Sequence, residues 1–113
     1  MFIGCWDMTE QWRGLDRRAR ERELAEMRRR VEPLLARNTI RCLGWARNDK
    51  SVDPSTAATQ KLFCIWTADT KDGIHAFARA EHEIGWYAYA AQVNFAGQLE
   101  SFETMASHLT AQG

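Results

Sequence analysis

A chain of 113 residues, 45% of them hydrophobic and 27% charged, has the size and balance of one globular domain over residues 1–113, able to bury roughly 65% of the surface its unfolded form exposes. That balance excludes a disordered, collagen-like or disulfide-stapled chain. Its 15 basic and 15 acidic groups cancel, against the uncompensated positive surface of a nucleic-acid binder, and no apolar run nears the roughly 18 residues that span a bilayer.

The elements follow in chain order. Phe2 to Met8 (FIGCWDM) is short, apolar and followed by polar residues, as a first strand would be. After a turn containing Thr9 and Gly14, Asp16 is placed to cap a helix running to about Arg37. Leu24, Met27, Val31, Leu34 and Leu35 make its apolar stripe, and Pro33 is expected to kink or restart it. Residues 1–50 carry 12 basic and 8 acidic groups, and residues 51–113 carry 3 and 7. The basic excess is concentrated in this helix, but Glu21, Glu23, Glu26 and Glu32 interleave with its arginines, so it reads as a solvated face.

Ile40 to Arg47 (IRCLGWAR) reads as a second strand, 48–60 as a polar loop, and Leu62 to Ala68 (LFCIWTA) as a central strand. Asp69 and Thr70 then cap a helix over 71–84, which Gly85 ends. Gln92 to Phe95 fits a short fourth strand, and Ser101 caps a last helix whose apolar positions are Phe102, Met105, Ala106 and Leu109. This is an α+β chain in the β-α-β-β-α-β order of a ferredoxin-like four-stranded antiparallel sheet, with a short C-terminal helix. Alternation along the second strand sends Cys42, Gly44 and Ala46 toward the helices and Arg41, Leu43, Trp45 and Arg47 to the open face. An open face this apolar calls for a homodimer closed face to face.

The second long helix holds the most informative constellation. Ile74, Phe77, Ala78, Glu81 and Ile84 fall on one stripe, which puts a carboxylate among apolar groups, and His75, Arg79 and His82 form a row beside it. A carboxylate so placed has a raised pKa unless it is paired, and that suits general acid or base work, with His82 orienting it or sharing its proton. The competing reading has Glu81 at the helix edge, paired with an arginine of the first helix, and both histidines exposed. Trp86 and Tyr87 directly follow this helix and Asn94 lies on the fourth strand, so polar-tipped groups could converge on an apolar cavity suited to a planar aromatic or otherwise hydrophobic ligand. Gly-rich phosphate loops, GxSxG and HExxH are absent, and Cys5, Cys42 and Cys64 lack zinc spacing. The reading is therefore of no metal and no cofactor, with haem held by His75 or His82 as the alternative. Unpaired thiols, together with a start (MFIGCWDMTE) that lacks a basic region and cleavage site, point to the cytoplasm.

The element order, with Gly44-Trp45, Gly85-Trp86-Tyr87 and the Gln92-Val93-Asn94 run followed by Gly97, resembles small uncharacterised bacterial proteins within the dimeric α+β barrel superfamily. That superfamily includes cofactor-free monooxygenases, haem-degrading monooxygenases, muconolactone isomerases and stress-induced barrel proteins. The resemblance implies a homodimer with a cavity between sheet and helices in each subunit, and it transfers no catalytic set. The expectation is a small cofactor-independent oxygenase, isomerase or lyase acting on an aromatic or hydrophobic metabolite. Glu81 or His82 would move the proton, Trp45, Trp86 and Tyr87 would form the wall, Asn94 would donate to a substrate oxygen and Arg47 would hold an anionic group. The alternative is a non-catalytic homodimer that binds a hydrophobic ligand or a protein partner.

Overall fold

The computed structural model of the chain describes residues 1–111. Strand β1 (Phe2–Met8) is followed by a one-turn helix α1 (Glu10–Arg13) and a long helix α2 (Arg17–Arg37). A hairpin of β2 (Arg41–Arg47) and β3 (Leu62–Thr67) leads into helix α3 (Lys71–Glu83), a 3-10 turn (Trp86–Ala88), β4 (Ala90–Ala96) and helix α4 (Phe102–Ala111). The four strands form one sheet in the order β2-β3-β1-β4, and each neighbouring pair is antiparallel. No helix among the described residues is long and apolar enough to cross a membrane.

Local chemistry accounts for the element ends. The Asp16 carboxylate accepts from Ala19 N at 2.8 Å and the Thr70 hydroxyl from Gly73 N at 3.0 Å, each satisfying an amide that the first helical turn leaves free. Gly85 ends α3 with a left-handed φ of 87°, a conformation that a side chain disfavours. Helix α2 runs unbroken through Pro33 instead of restarting there. Its outer face is laced by exposed pairs, Arg17 with Glu21 at 3.1 Å and Glu26 with both Arg29 and Arg30 at 2.7 and 3.1 Å, so the arginines are spent on neighbouring glutamates. The turn after β1 also holds more order than its polar sequence suggests. Thr9 caps α1, and Trp12 packs edge to face on Tyr89 with the Arg20 guanidinium over its ring at 5.8 Å.

The core lies between the sheet and α3. Phe2, Trp6, Cys64, Trp66 and Phe77 are buried there, with Phe2 and Phe77 meeting edge to face at 5.3 Å. Pairing of Phe2 with Trp66 and with Ala96, and of Trp6 with Gln92, puts Gln92 and Asn94 on this inner side. The other side presents Ile3, Cys5, Phe63, Ile65, Val93 and Phe95, and Phe95 is 70% exposed. Helix α4 is similarly bare: Phe102, Met105 and Leu109 all face solvent.

Strand β2 departs from simple alternation. Cys42 opposes Trp66 and Gly44 opposes Ile65, so Leu43 is an extra residue, a β-bulge that reverses the phase of everything after it. Trp45 and Arg47, expected on the open face, therefore pair with Cys64 and Leu62 on the helix side, and Gly44 and Ala46 turn away from the helices. The strand is exposed along its whole length, so the helices do not close onto it. A space is left between β2 and α2.

Candidate functional site: a cavity with a buried glutamate

Helix α3 carries Gly73, Phe77, Ala80 and Glu81 on its buried face, a run that follows from their three- and four-residue spacing. Glu81 is 7% exposed and is the one buried charged residue among those described. The helix-edge pairing with an arginine of the first long helix does not occur: among the described residues no Lys, Arg or His lies within ion-pair distance of it. Neutral groups hold it instead. The Tyr87 hydroxyl donates to Oε1 at 3.2 Å, and the Gln92 amide donates to Oε1 and Oε2 at 3.2 and 3.4 Å.

The directions of these bonds are fixed by one group that can only donate. The Trp86 indole N–H reaches Gln92 Oε1 at 2.7 Å, so the other end of that amide is its NH2 group, which faces Glu81 and also donates to Asn94 Oδ1 at 2.6 Å. Asn94 then donates to the Tyr87 hydroxyl at 2.9 Å, leaving that hydroxyl's own proton for Glu81. Both inward donors thus favour the carboxylate, while burial opposes its charge and wins, pushing the Glu81 carboxyl up to about 7. Burial also raises the Tyr87 hydroxyl, and it raises the Cys64 thiol to about 11. Gly4 makes the room for this network, since a β-carbon there would sit 2.7 Å from Gln92 Nε2.

Glu81 borders a cavity of about 530 Å³, a volume suited to a small molecule. Leu24, Met27, Arg28, Val31, Glu32 and Leu35 of α2 line one side, and Cys42, Trp45 and Trp66 of the sheet line the other. Phe77 of α3, Ile84 just past its end and Trp86 complete it. Trp45 and Trp66 meet at 87° with ring centres 5.6 Å apart, and Trp6 stands edge to face against both Trp45 and Trp86. A carboxyl that titrates near neutrality on such a wall can take a proton from a bound molecule or return one.

Of the residues singled out in the sequence, Glu81, Trp45 and Trp86 line this space. Tyr87 and Asn94 stand behind Glu81 and act on it through hydrogen bonds, and Asn94 donates to Tyr87. His82 is exposed and stacks on Tyr87 with ring centres 4.4 Å apart. His75 is exposed on the same helix, and Arg47, also exposed, lies opposite Leu62 and outside the lining. The cavity's own arginine is Arg28, bound to Glu32 at 3.1 Å. Gln92, central to the network, was read as a strand residue and as part of the Gln92-Val93-Asn94 run but was given no role at the site; its period-two relation to Asn94 was the available signal. No group of three or more His, Cys, Asp or Glu among the described residues could hold a metal ion.

No curated protein and no solved structure matches the chain. A family model matches residues 1–112, and nothing in that match ties it to the dimeric α+β barrel superfamily. The chain belongs to that matching family, a family of unknown function (DUF6616).

Proposed function

We propose that this protein is a small homodimeric enzyme that moves a proton on an aromatic or hydrophobic metabolite without a bound cofactor, as an oxygenase, isomerase or lyase. The observation that carries the reading is Glu81: a buried carboxyl with a pKa near 7, oriented by Tyr87 and Gln92 and set in the wall of an aromatic cavity. Trp45 and Trp86 bound the substrate, and Tyr87, Gln92 and Asn94 position the carboxyl. A ferredoxin-like reading is supported by the element order and by the strand order β2-β3-β1-β4. The bare apolar outer face supports a face-to-face dimer of the α+β barrel kind. The free cysteines support a cytoplasmic setting.

The test is proton exchange in D2O with a panel of enolisable aryl ketones, followed by NMR. Exchange catalysed by the wild type and reduced about 100-fold or more in Glu81→Gln supports the reading. Exchange that is absent with every ketone, or unchanged in the variant, removes it. His82→Ala, which alters only a stacking neighbour of Tyr87, is expected to have the smaller effect.

The exposed apolar positions of α4 and the outer face favour a second reading, a non-catalytic dimer that binds a hydrophobic ligand or a protein partner. Ligand binding without exchange in any member of the panel selects it.

A further inference from the structure

The cavity holds a charge without a counter-charge. Glu81 receives hydrogen bonds from Tyr87 and Gln92, both neutral, and no cation among the described residues pairs with it. Two other charged groups border the space, Arg28 and Glu32, and they bind each other at 3.1 Å, which leaves the Glu81 charge as the surplus when it is ionised. Around it stand Trp45, Trp66 and Trp86, with the first two at 87° to one another. Indoles lining one volume bring electron-rich faces within reach of it, and a desolvated cation seated beside such a face is attracted by the ring quadrupole. A neutral hydrophobic ligand would use only the apolar area of these walls and would leave the carboxyl neutral or uncompensated.

We propose that the cavity binds a hydrophobic organic cation, an amine or quaternary ammonium group that seats among Trp45, Trp66 and Trp86 with Glu81 as its counter-ion. The proposal rests on reading this cavity as a ligand pocket, and it adds the sign of the ligand's charge. Because binding and ionisation are linked, the cation draws the Glu81 carboxyl below its unliganded value of about 7, and affinity rises with pH through that region. The groups facing Glu81 from the elements packed around it are few. Arg28 and Glu32 of α2 are tied to each other. Cys42 of β2 and Cys64 of β3 have thiols raised by burial, as is the Tyr87 hydroxyl, so all three stay neutral near pH 7. Strand β4 contributes the neutral amides of Gln92 and Asn94, and His82 on α3 is exposed and stacked on Tyr87.

The experiment compares benzyltrimethylammonium with its uncharged isostere, neopentylbenzene, by quenching of the intrinsic tryptophan fluorescence of the intact protein. At pH 8 the cation is expected to bind about tenfold or more tighter than the isostere, and to lose most of that preference at pH 5.5. Glu81→Gln is expected to cut the preference severalfold, to what the indole rings alone supply, and to remove its pH dependence, while still binding the neutral compound, which reports an intact cavity. Equal or tighter binding of the isostere by the wild type at pH 8 overturns the proposal and leaves the pocket reading standing. A preference that keeps its full size or its pH dependence in Glu81→Gln does the same. Failure of both probes to bind removes the pocket reading as well.

Discussion

The indole N–H of Trp86 meets the side-chain oxygen of Gln92 at 2.7 Å, and through that contact a tryptophan that makes no hydrogen bond to Glu81 sets what Glu81 feels. With its oxygen occupied, Gln92 must present NH2 to the carboxyl. If the amide turned over, two oxygens would face each other and only the protonated acid could satisfy them.

Trp86→Phe releases this constraint. The Glu81 carboxyl is expected to move further above its value of about 7, because the amide becomes free to offer its oxygen. Stability should fall by about 1 kcal/mol for the lost bond. Carbon-detected NMR titration of the glutamate carboxyls reads the first effect and urea denaturation the second; an unmoved carboxyl would show that Trp86 does not orient Gln92.

Gly4→Ala tests the same network from the sheet. Its new β-carbon would lie 2.7 Å from Gln92 Nε2 and 3.1 Å from Gln92 Cδ, so the amide has to withdraw from Glu81. The strand backbone accepts alanine, and the expected outcome is an intact fold with the Glu81 carboxyl raised, as for the tryptophan variant. Combining the two substitutions should add little, since both remove one bond. Additive shifts in the titration would mean separate routes to Glu81.

Stability should depend on pH through Glu81 in a definite direction. Unfolded, its carboxyl has the ordinary value of 4.5; folded, it is raised to about 7. Between those values the folded chain holds a proton that the unfolded chain has released, so raising the pH favours unfolding across that window and has no further effect above it. The full difference is about 3 kcal/mol. Urea denaturation of wild type and Glu81→Gln at pH 4 and pH 8 isolates it: wild type should lose stability relative to the variant as pH rises. The opposite trend would mean that the donors, and not burial, dominate at Glu81.

Two copies of the 13.0 kDa chain are expected in solution at micromolar concentration. Phe95 is 70% exposed on the outer face of β4, so Phe95→Asp should change a lone subunit's stability by no more than about 0.5 kcal/mol. In a face-to-face dimer it places a charge inside the interface and should yield monomers with unchanged circular dichroism. Sedimentation velocity distinguishes the cases, and a wild-type monomer would discard the dimer.

Helical spacing puts Glu81 on the stripe with Phe77, so the sequence allowed a buried carboxylate, but it equally allowed one at the helix edge paired with an arginine of the first long helix, and spacing alone does not decide between them. The partners of Glu81 were harder to read. Gln92 belongs to a strand that starts at Ala90, two residues before its apolar pattern becomes evident, and Tyr87 sits in a 3-10 turn too short to carry a period. The stripe of α2 was visible too, but periodicity reports which way Leu24 and Met27 point and not how far away the opposing layer stands. Leu24, 47% exposed, lines a space where the pattern alone suggests contact. The faces of β2 were misread because Leu43 looks like any other strand residue, and a bulge is decided by the pairing of two strands.

That bulge makes the cavity wall a matter of counting. One residue left out of the ladder at Leu43 keeps Trp45 inward, and a slip that paired Leu43 with Ile65 would exchange Trp45 for Gly44 on the wall and Arg47 for Ala46 beyond it. Such a one-residue slip would act as a block substitution, opening one side of the chamber and moving an indole to the outer surface without changing any residue, whereas deleting Leu43 would straighten the strand and leave Trp45 opposite Cys64.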